Sequence, residues 1–145
     1  MSALAEYFFK NGYTVFGSDK KPNDNTLRLE RAGIKVFHTH NANNVIGADY
    51  FVYTSAILSD NPELIKAREL GIPLIKRSEL LGRVLSCYDK SVAVAGSHGK
   101  TTSTAMITHV LEKGNLSPTA FIGGRDITYG NLNIGDKKNR RNRSL

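Results

Sequence analysis

The sequence predicts an α/β fold in which a parallel-sheet domain is followed by the opening of a second α/β domain. Three observations carry this expectation. Short β-branched and aromatic runs alternate with helix-period segments at the spacing of βαβ units. The stretch "SVAVAGSHGKTTSTAMI" (91–107) sets an apolar strand, a glycine-bearing loop and a helix in succession. Hydrophobic residues make up 40% and charged residues 23% of the 145, a balance that builds a core rather than leaving the chain disordered.

The elements follow in order. "SALAEYFFKNG" (2–12) reads as a helix, because Leu4 and Phe8, and Ala5 and Phe9, repeat at i+4 and Gly12 closes the pattern. "YTVFGSD" (13–19) reads as a strand, "KKPND" as a polar turn, and "NTLRLERAG" as a short helix closing at Gly33. A second strand is expected in "IKVFHTH" (34–40), a short helix or turn in "NANNVIG", and a third strand in "DYFVYTSA" (49–56). "NPELIKARELG" is a helix with Asn61 placed as its cap, "IPLIK" (72–76) a fourth strand, and "SELLGRVLSCY" (78–88) an amphipathic helix. Asp89 and Lys90 mark a fresh start, so one domain is expected over 1–88 and the start of another over 89–135. In the second stand the strand "SVAVAG" (91–96), a helix from about Lys100 to Lys113 stopped by Gly114, and the strand "PTAFIGG" (118–124). The segment from Arg125 onward is rich in Gly, Asn and bases without apolar periodicity, so it is not expected to pack, and 136–145 reads as a disordered basic tail.

The bulk composition excludes several classes of function. The single cysteine, Cys87, permits no intrachain disulfide and fits a reducing, cytoplasmic setting. No apolar run reaches the length of a membrane span, and "MSALAEYFFKNG" lacks the basic start and cleavage site of a secretory signal. The formal charge of +7 points toward nucleic acid, but "DKKNRRNRSL" supplies +4 of it. No interleaved aromatics or nucleic-acid motif accompany those bases, so a nucleic-acid partner is not expected.

Gly96 to Thr102 carry the chemistry. A strand that ends in a glycine turn and opens a helix gathers backbone N–H groups at the positive end of the helix dipole, which makes a phosphate cradle. Gly96 and Gly99 allow the close backbone approach, with Ser97, His98 and Thr102 completing the loop. Lys100 reaches terminal phosphates, and Thr101 places a hydroxyl for Mg²⁺. The pattern is the short G-x-x-G-K-T; Val94 stands where the longer phosphate-loop pattern has its first glycine. A helix start that merely falls into this short pattern is the bland alternative, and the strand before and helix after it argue against that. His98 has no nucleophile to pair with, so it reads as a loop-shaping or phosphate-proximal residue rather than a general base.

"GSHGKTT" after an apolar strand resembles the ATP loop of the Mur ligases. The blocks "MSALAEYFFKNGYTVFGSD", "TLRLERAGIKVFHTHNANNV", "ADYFVYTSAILSDNPELIKARELGIPLIKRSELL" and "PTAFIGG" are similar to successive family blocks, through about residue 135. The resemblance is to the branch that joins L-alanine to UDP-N-acetylmuramate. It implies a cytoplasmic ligase of peptidoglycan synthesis that uses ATP and Mg²⁺ and passes through an acyl phosphate, with Lys100 and Thr101 at the catalytic loop. It implies a Rossmann-like first domain that holds the UDP-sugar at its strand ends. Ser18 and Asp19 follow the first strand, His40 the second, and Thr54 and Ser55 the third. Singly each has a plain alternative: turn or cap residues for Ser18 and Asp19, a loop histidine for His40, strand-end polar groups for Thr54 and Ser55.

Members of the family begin with a further strand and a G-x-G-G-x-G loop before the position of Met1. That strand is internal to the sheet, so its absence is expected to leave an unpaired gap. They also continue beyond "YGNLNIG" into acidic Mg²⁺ ligands and a C-terminal domain, where this chain turns to "DKKNRRNRSL". The resemblance therefore implies a fragment with an incomplete catalytic apparatus. Its rivals are a neighbouring Mur-type ligase that recycles murein tripeptide and a non-catalytic nucleotide-binding remnant.

Overall fold

The computed structural model describes residues 1–136; the basic tail from 137 onward lies outside the described residues. The chain divides into two compact units, Met1–Gly82 and Arg83–Leu145.

In the first unit, helix α1 (Ser2–Lys10) precedes β1 (Phe16–Ser18), α2 (Asp24–Arg31) and β2 (Lys35–Phe37). A 3₁₀ turn (Ala42–Val45), β3 (Phe51–Tyr53), α3 (Pro62–Glu69) and β4 (Leu74–Lys76) follow, and α4 (Arg77–Ser86) begins at once after β4. β1 and β2 run parallel with Ser18 beside Phe37, and β3 and β4 run parallel with Tyr53 beside Lys76. Each pair is joined through a helix, so both are βαβ units, as the alternation predicts. Among the described residues no ladder joins the first pair to the second.

Side-chain caps fix where the helices begin. Asn23 accepts from the backbone N–H groups of Asn25 and Thr26, while Thr26 Oγ1 accepts from the Asn23 N–H, a reciprocal capping box. Asn61 accepts from Glu63 and Leu64, with Pro62 pre-set for the first turn. Gly33 ends the α2 connection at φ +92°, and a Cβ there would stand 3.3 Å from the Phe9 ring. The core collects Leu4, Tyr7, Ile34, Val45, Leu64, Ala67 and Ile75.

The strands are shorter than the apolar runs that foretell them, because a strand exists only where a partner answers it. Tyr13 N–H donates to Phe8 O and so belongs to the end of α1. Past Phe37 the chain leaves the ladder, and the Thr39 carbonyl accepts from the Asn44 side chain instead.

The second unit holds α5 (Lys100–Lys113), β5 (Ala120–Asp126) and β6 (Gly130–Asn133), with Val84, Cys87, Thr108, Ile122 and Leu132 buried. Two expectations are corrected here. Residues 91–96 do not form a strand: among the described residues no strand pairs with them, and Val92 is 70% exposed. The segment from Asp126 to Asp136 does pack. Asp126 Oδ1 accepts from the N–H groups of Thr128 and Tyr129, which turns the chain, and β6 returns antiparallel to β5 with Phe121 opposite Leu132. Asn133 Nδ2 then donates to Glu112 Oε1 at 2.6 Å and to the Pro118 carbonyl at 2.8 Å. The signal was turn chemistry, an Asp-led turn closed by Gly130, in a segment too short to show apolar periodicity.

Candidate functional site

The loop before α5 is built around two glycines. Gly96 has φ +150° and Gly99 φ +75°, the second serving as N-cap in the left-handed region where a Cβ would strain the backbone. Gly99 offers no side chain to the helix, so no residue of the loop caps the first N–H groups of α5 with a side chain. Lys100 Nζ donates to the carbonyls of Gly96 at 2.6 Å and Ser97 at 3.1 Å, drawing the loop around its ammonium. Residues 95–103 are all exposed. An open helix end, a lysine ammonium at its lip and no acid in the first turn form an anion-receiving arrangement.

Thr101 stands at the next position, and no described residue gives its hydroxyl a hydrogen bond. β5 passes beside it: a Cβ on Gly124 would lie 2.8 Å from Thr101 Cγ2, and one on Gly123 would lie 3.4 Å from Thr101 Oγ1. The two glycines clear the space that threonine occupies, and the sequence reading missed them as anything but strand residues. Ser97, His98 and Thr102 lie in the exposed loop and first turn. Among the described residues no cluster of three or more His, Cys, Asp or Glu could hold a metal alone. A hydroxyl beside an uncapped helix end could serve as one donor to a Mg²⁺ carried in by a nucleotide, whose own oxygens would supply the remaining donors.

In the first unit Ser18, the last residue of β1, meets His40 in the loop after β2. Ser18 Oγ donates to Glu63 Oε2 at 2.6 Å and lies 2.9 Å from His40 Nδ1. His40 Nδ1 also approaches Glu63 Oε2 at 3.3 Å, with the glutamate side chain 6% and the histidine 25% exposed. Asn44 Nδ2 completes the carboxylate's set by donating to Oε1 at 2.7 Å. Glu63 sits in the first turn of α3, where the helix dipole favours a negative charge. Glu63 and Asn44 were absent from the residues singled out by sequence; the Asn-Pro-Glu run that starts α3 is the signal that points to Glu63. Asp19 lies apart from this cluster, its carboxylate accepting from Lys21 N–H and Asn23 Nδ2 in a local turn. Thr54 and Ser55 form the turn after β3, where Thr54 O accepts from Ile57 N–H, and neither side chain joins the cluster.

His109 of α5 meets a further group of polar residues. His109 Nε2 lies 3.6 Å from Asp126 Oδ1, and its ring lies 4.8 Å from that of Tyr129. The Tyr129 backbone N–H, chiefly, holds the Asp126 carboxyl below its ordinary range, while desolvation raises the Tyr129 phenol. The arrangement ties the β5–β6 hairpin to α5.

Residues 1–88 match the family model described as "Mur ligase family, catalytic domain". The chain is 47% identical over 139 residues to the UDP-N-acetylmuramate--L-alanine ligase of Alkaliphilus metalliredigens, covering 95% of this chain and 30% of that protein. It is 49% identical, with the same coverage, to the enzyme of that name from Acetivibrio thermocellus. Among solved structures, the UDP-N-acetylmuramate-alanine ligase of Thermotoga maritima superposes with a TM-score of 0.88 at 38% identity, over 93% of this chain and 32% of that one. The UDP-N-acetylmuramate:L-alanyl-gamma-D-glutamyl-meso-diaminopimelate ligase of Neisseria meningitides superposes with a TM-score of 0.87 at 28% identity, over 99% and 46%. The chain thus spans about 30% of the length of the curated relatives it matches.

Proposed function

The chain belongs to the Mur ligase family, and from that premise we propose that it takes part in the ATP-dependent joining of L-alanine to UDP-N-acetylmuramate, a cytoplasmic step of cell-wall synthesis. The observation that carries the ATP half is the uncapped start of α5 with Lys100 at its lip. Residues 1–88 take the UDP-sugar at the strand ends around Ser18 and His40, and residues from 89 begin the ATP-binding part.

In the proposed reaction a carboxylate oxygen of UDP-N-acetylmuramate attacks the γ-phosphorus of ATP, and ADP leaves. The alanine amine then attacks the acyl carbon, loses a proton and expels phosphate. No protein nucleophile is needed; the work is positioning and charge stabilisation. The N–H groups at the start of α5 and the Lys100 ammonium bind phosphate oxygens. Lys100 must exchange its bonds to the Gly96 and Ser97 carbonyls for them. Thr101 would hold Mg²⁺, whose chemistry there is to neutralise the phosphate charge as it moves.

The relatives' names favour alanine over a tripeptide as the joined group, since the alanine ligases are more similar to this chain than the tripeptide enzyme is. The test is phosphate release from MgATP with UDP-N-acetylmuramate, offering L-alanine or L-alanyl-γ-D-glutamyl-meso-diaminopimelate, for this chain and for Lys100→Ala. Release that needs L-alanine and is lost in the variant supports the reading. Release driven by the tripeptide, or undiminished in Lys100→Ala, overturns it; if this chain, at about 30% of its relatives' length, releases no phosphate, MgATP binding that is lost in Lys100→Ala supports the ATP half and no MgATP binding by the folded chain overturns it.

A further inference from the structure

The cluster of Ser18, His40, Asn44 and Glu63 fixes more than the position of its members. Asn44 Nδ2 donates to two oxygens, Thr39 O at 2.8 Å and Glu63 Oε1 at 2.7 Å, so its amide has one possible orientation. Glu63 is an acceptor on both carboxylate oxygens, and Ser18 spends its single hydroxyl hydrogen on Oε2. The Ser18 oxygen therefore meets His40 Nδ1 only as an acceptor. The other neighbour of Nδ1, the Glu63 oxygen at 3.3 Å, accepts as well. Both partners demand a hydrogen on Nδ1.

We propose that Glu63, acting through Ser18, holds neutral His40 in the tautomer with its hydrogen on Nδ1, so that Nε2 presents a lone pair that reads a hydrogen-bond donor of a uridine nucleotide. Nε2 has no partner among the described residues, and the His40 side chain is 25% exposed where that of Glu63 is buried. A uridine nucleotide carries three such donors, the imide N3–H and the 2′- and 3′-hydroxyls. Glu63 is in this sense a positioning residue. The inference rests on the reading that the first unit takes the UDP-sugar, but the tautomer stands independently of any ligand.

The tautomer is read by long-range ¹H–¹⁵N correlation of the histidine rings at about pH 8, where an ordinary imidazole is neutral. The His40 signals are assigned by their loss in His40→Asn. The hydrogen is expected on Nδ1. A hydrogen on Nε2 in the unaltered chain overturns the proposal without recourse to any variant. In Glu63→Gln, Asn44 still pins Oε1, which puts the new amide nitrogen against Ser18; the serine hydrogen then turns to Nδ1 and the hydrogen on His40 moves to Nε2. Retention on Nδ1 in that folded variant also counts against the proposal.

The ligand half uses UDP, 3-methyl-UDP, and the 2′-deoxy and 3′-deoxy forms of UDP in binding titrations. One of the three analogues is expected to bind about tenfold more weakly than UDP, the loss from one unpaired hydrogen bond, and that discrimination is expected to vanish in Glu63→Gln. Equal binding of all four overturns the recognition role. No binding of UDP by the folded chain, with the hydrogen still on Nδ1, overturns the UDP-sugar reading and the recognition role while leaving the tautomer intact.

Discussion

The starts of α3 and α5 are two answers to the same problem, and they differ in three residues. Both leave backbone N–H groups without helical partners. At α3, Asn61 takes two of them, Pro62 removes one by having none, and Glu63 sets a carboxylate in the first turn. At α5, Gly99 takes none, and the first residue is the cation Lys100. A helix end closed by its own side chains has few backbone donors left for a phosphate, whereas an end left bare behind a lysine has its unsatisfied donors available for one.

The largest test of that contrast is Lys100→Ala. Loss of a charge-assisted bond to phosphate is worth about 2–3 kcal/mol, so the affinity for MgATP should fall on the order of 100-fold. Because Lys100 is exposed, urea unfolding should move by no more than about 0.5 kcal/mol. Calorimetric titration paired with the urea curve separates the two effects. A large stability loss with unchanged nucleotide affinity would make the lysine a loop staple and erase the contrast.

Next in size is Glu63→Ala at the closed end. The substitution leaves the Ser18 hydroxyl and the Asn44 amide facing a cavity where a buried carboxylate stood, at a cost of about 2 kcal/mol. Urea unfolding followed by a signal from the first unit should show it, while MgATP affinity stays where it was. Asn61→Ala should cost less, about 1 kcal/mol, and Asn61→Gly only a few tenths. If Asn61→Ala costs nothing, the α3 cap is ornamental and its difference from Gly99 carries no meaning.

These helix ends also show how much the sequence discloses. The Asn61 cap, the helix start at Gly99 and Lys100 and its stop at Gly114 are legible because helix ends are local, decided within a few residues of chain. The parallel pairs are legible through alternation. Residues 91–96 mislead because their apolar pattern records what a strand would need, not whether a partner is present to pair with it. Ser18 and His40 were found as strand-end polar residues, but Glu63, which bonds Ser18, lies 45 positions from it, and Asn44, which bonds Glu63, lies 19 positions from that glutamate. Such meetings depend on tertiary packing, and one sequence carries no direct record of them. Thr54 and Ser55 illustrate the converse: a shared strand edge does not bring side chains into contact.

The smallest expected effect concerns the hairpin of the second unit, and it asks whether that unit closes its backbone ends wherever no ligand is expected. Asp126 Oδ1 accepts from Thr128 N–H and Tyr129 N–H, both at 2.9 Å, much as Asn61 does at α3. These bonds favour the ionised carboxylate, so its folded pKa lies below the ordinary 3.8, with the Tyr129 N–H as the largest cause and the nearby His109 adding to it. For a depressed acid the unfolded chain takes up the proton first. The stabilisation is therefore present above pH 3.8 and is lost as pH falls through the lower folded value. Lowering the pH from about 6 to 2 should loosen the Asp126–Gly130 turn, read by NMR as a drift of the Tyr129 amide and ring signals toward their unfolded positions. Asp126→Asn keeps an acceptor for both backbone bonds but has no charge to lose, so its Tyr129 signals should stay flat through that window. A drift of equal size in the variant would assign the transition to another carboxylate, Glu112 being the one that also faces Tyr129. It would also remove Asp126 as the hairpin's counterpart to Asn61.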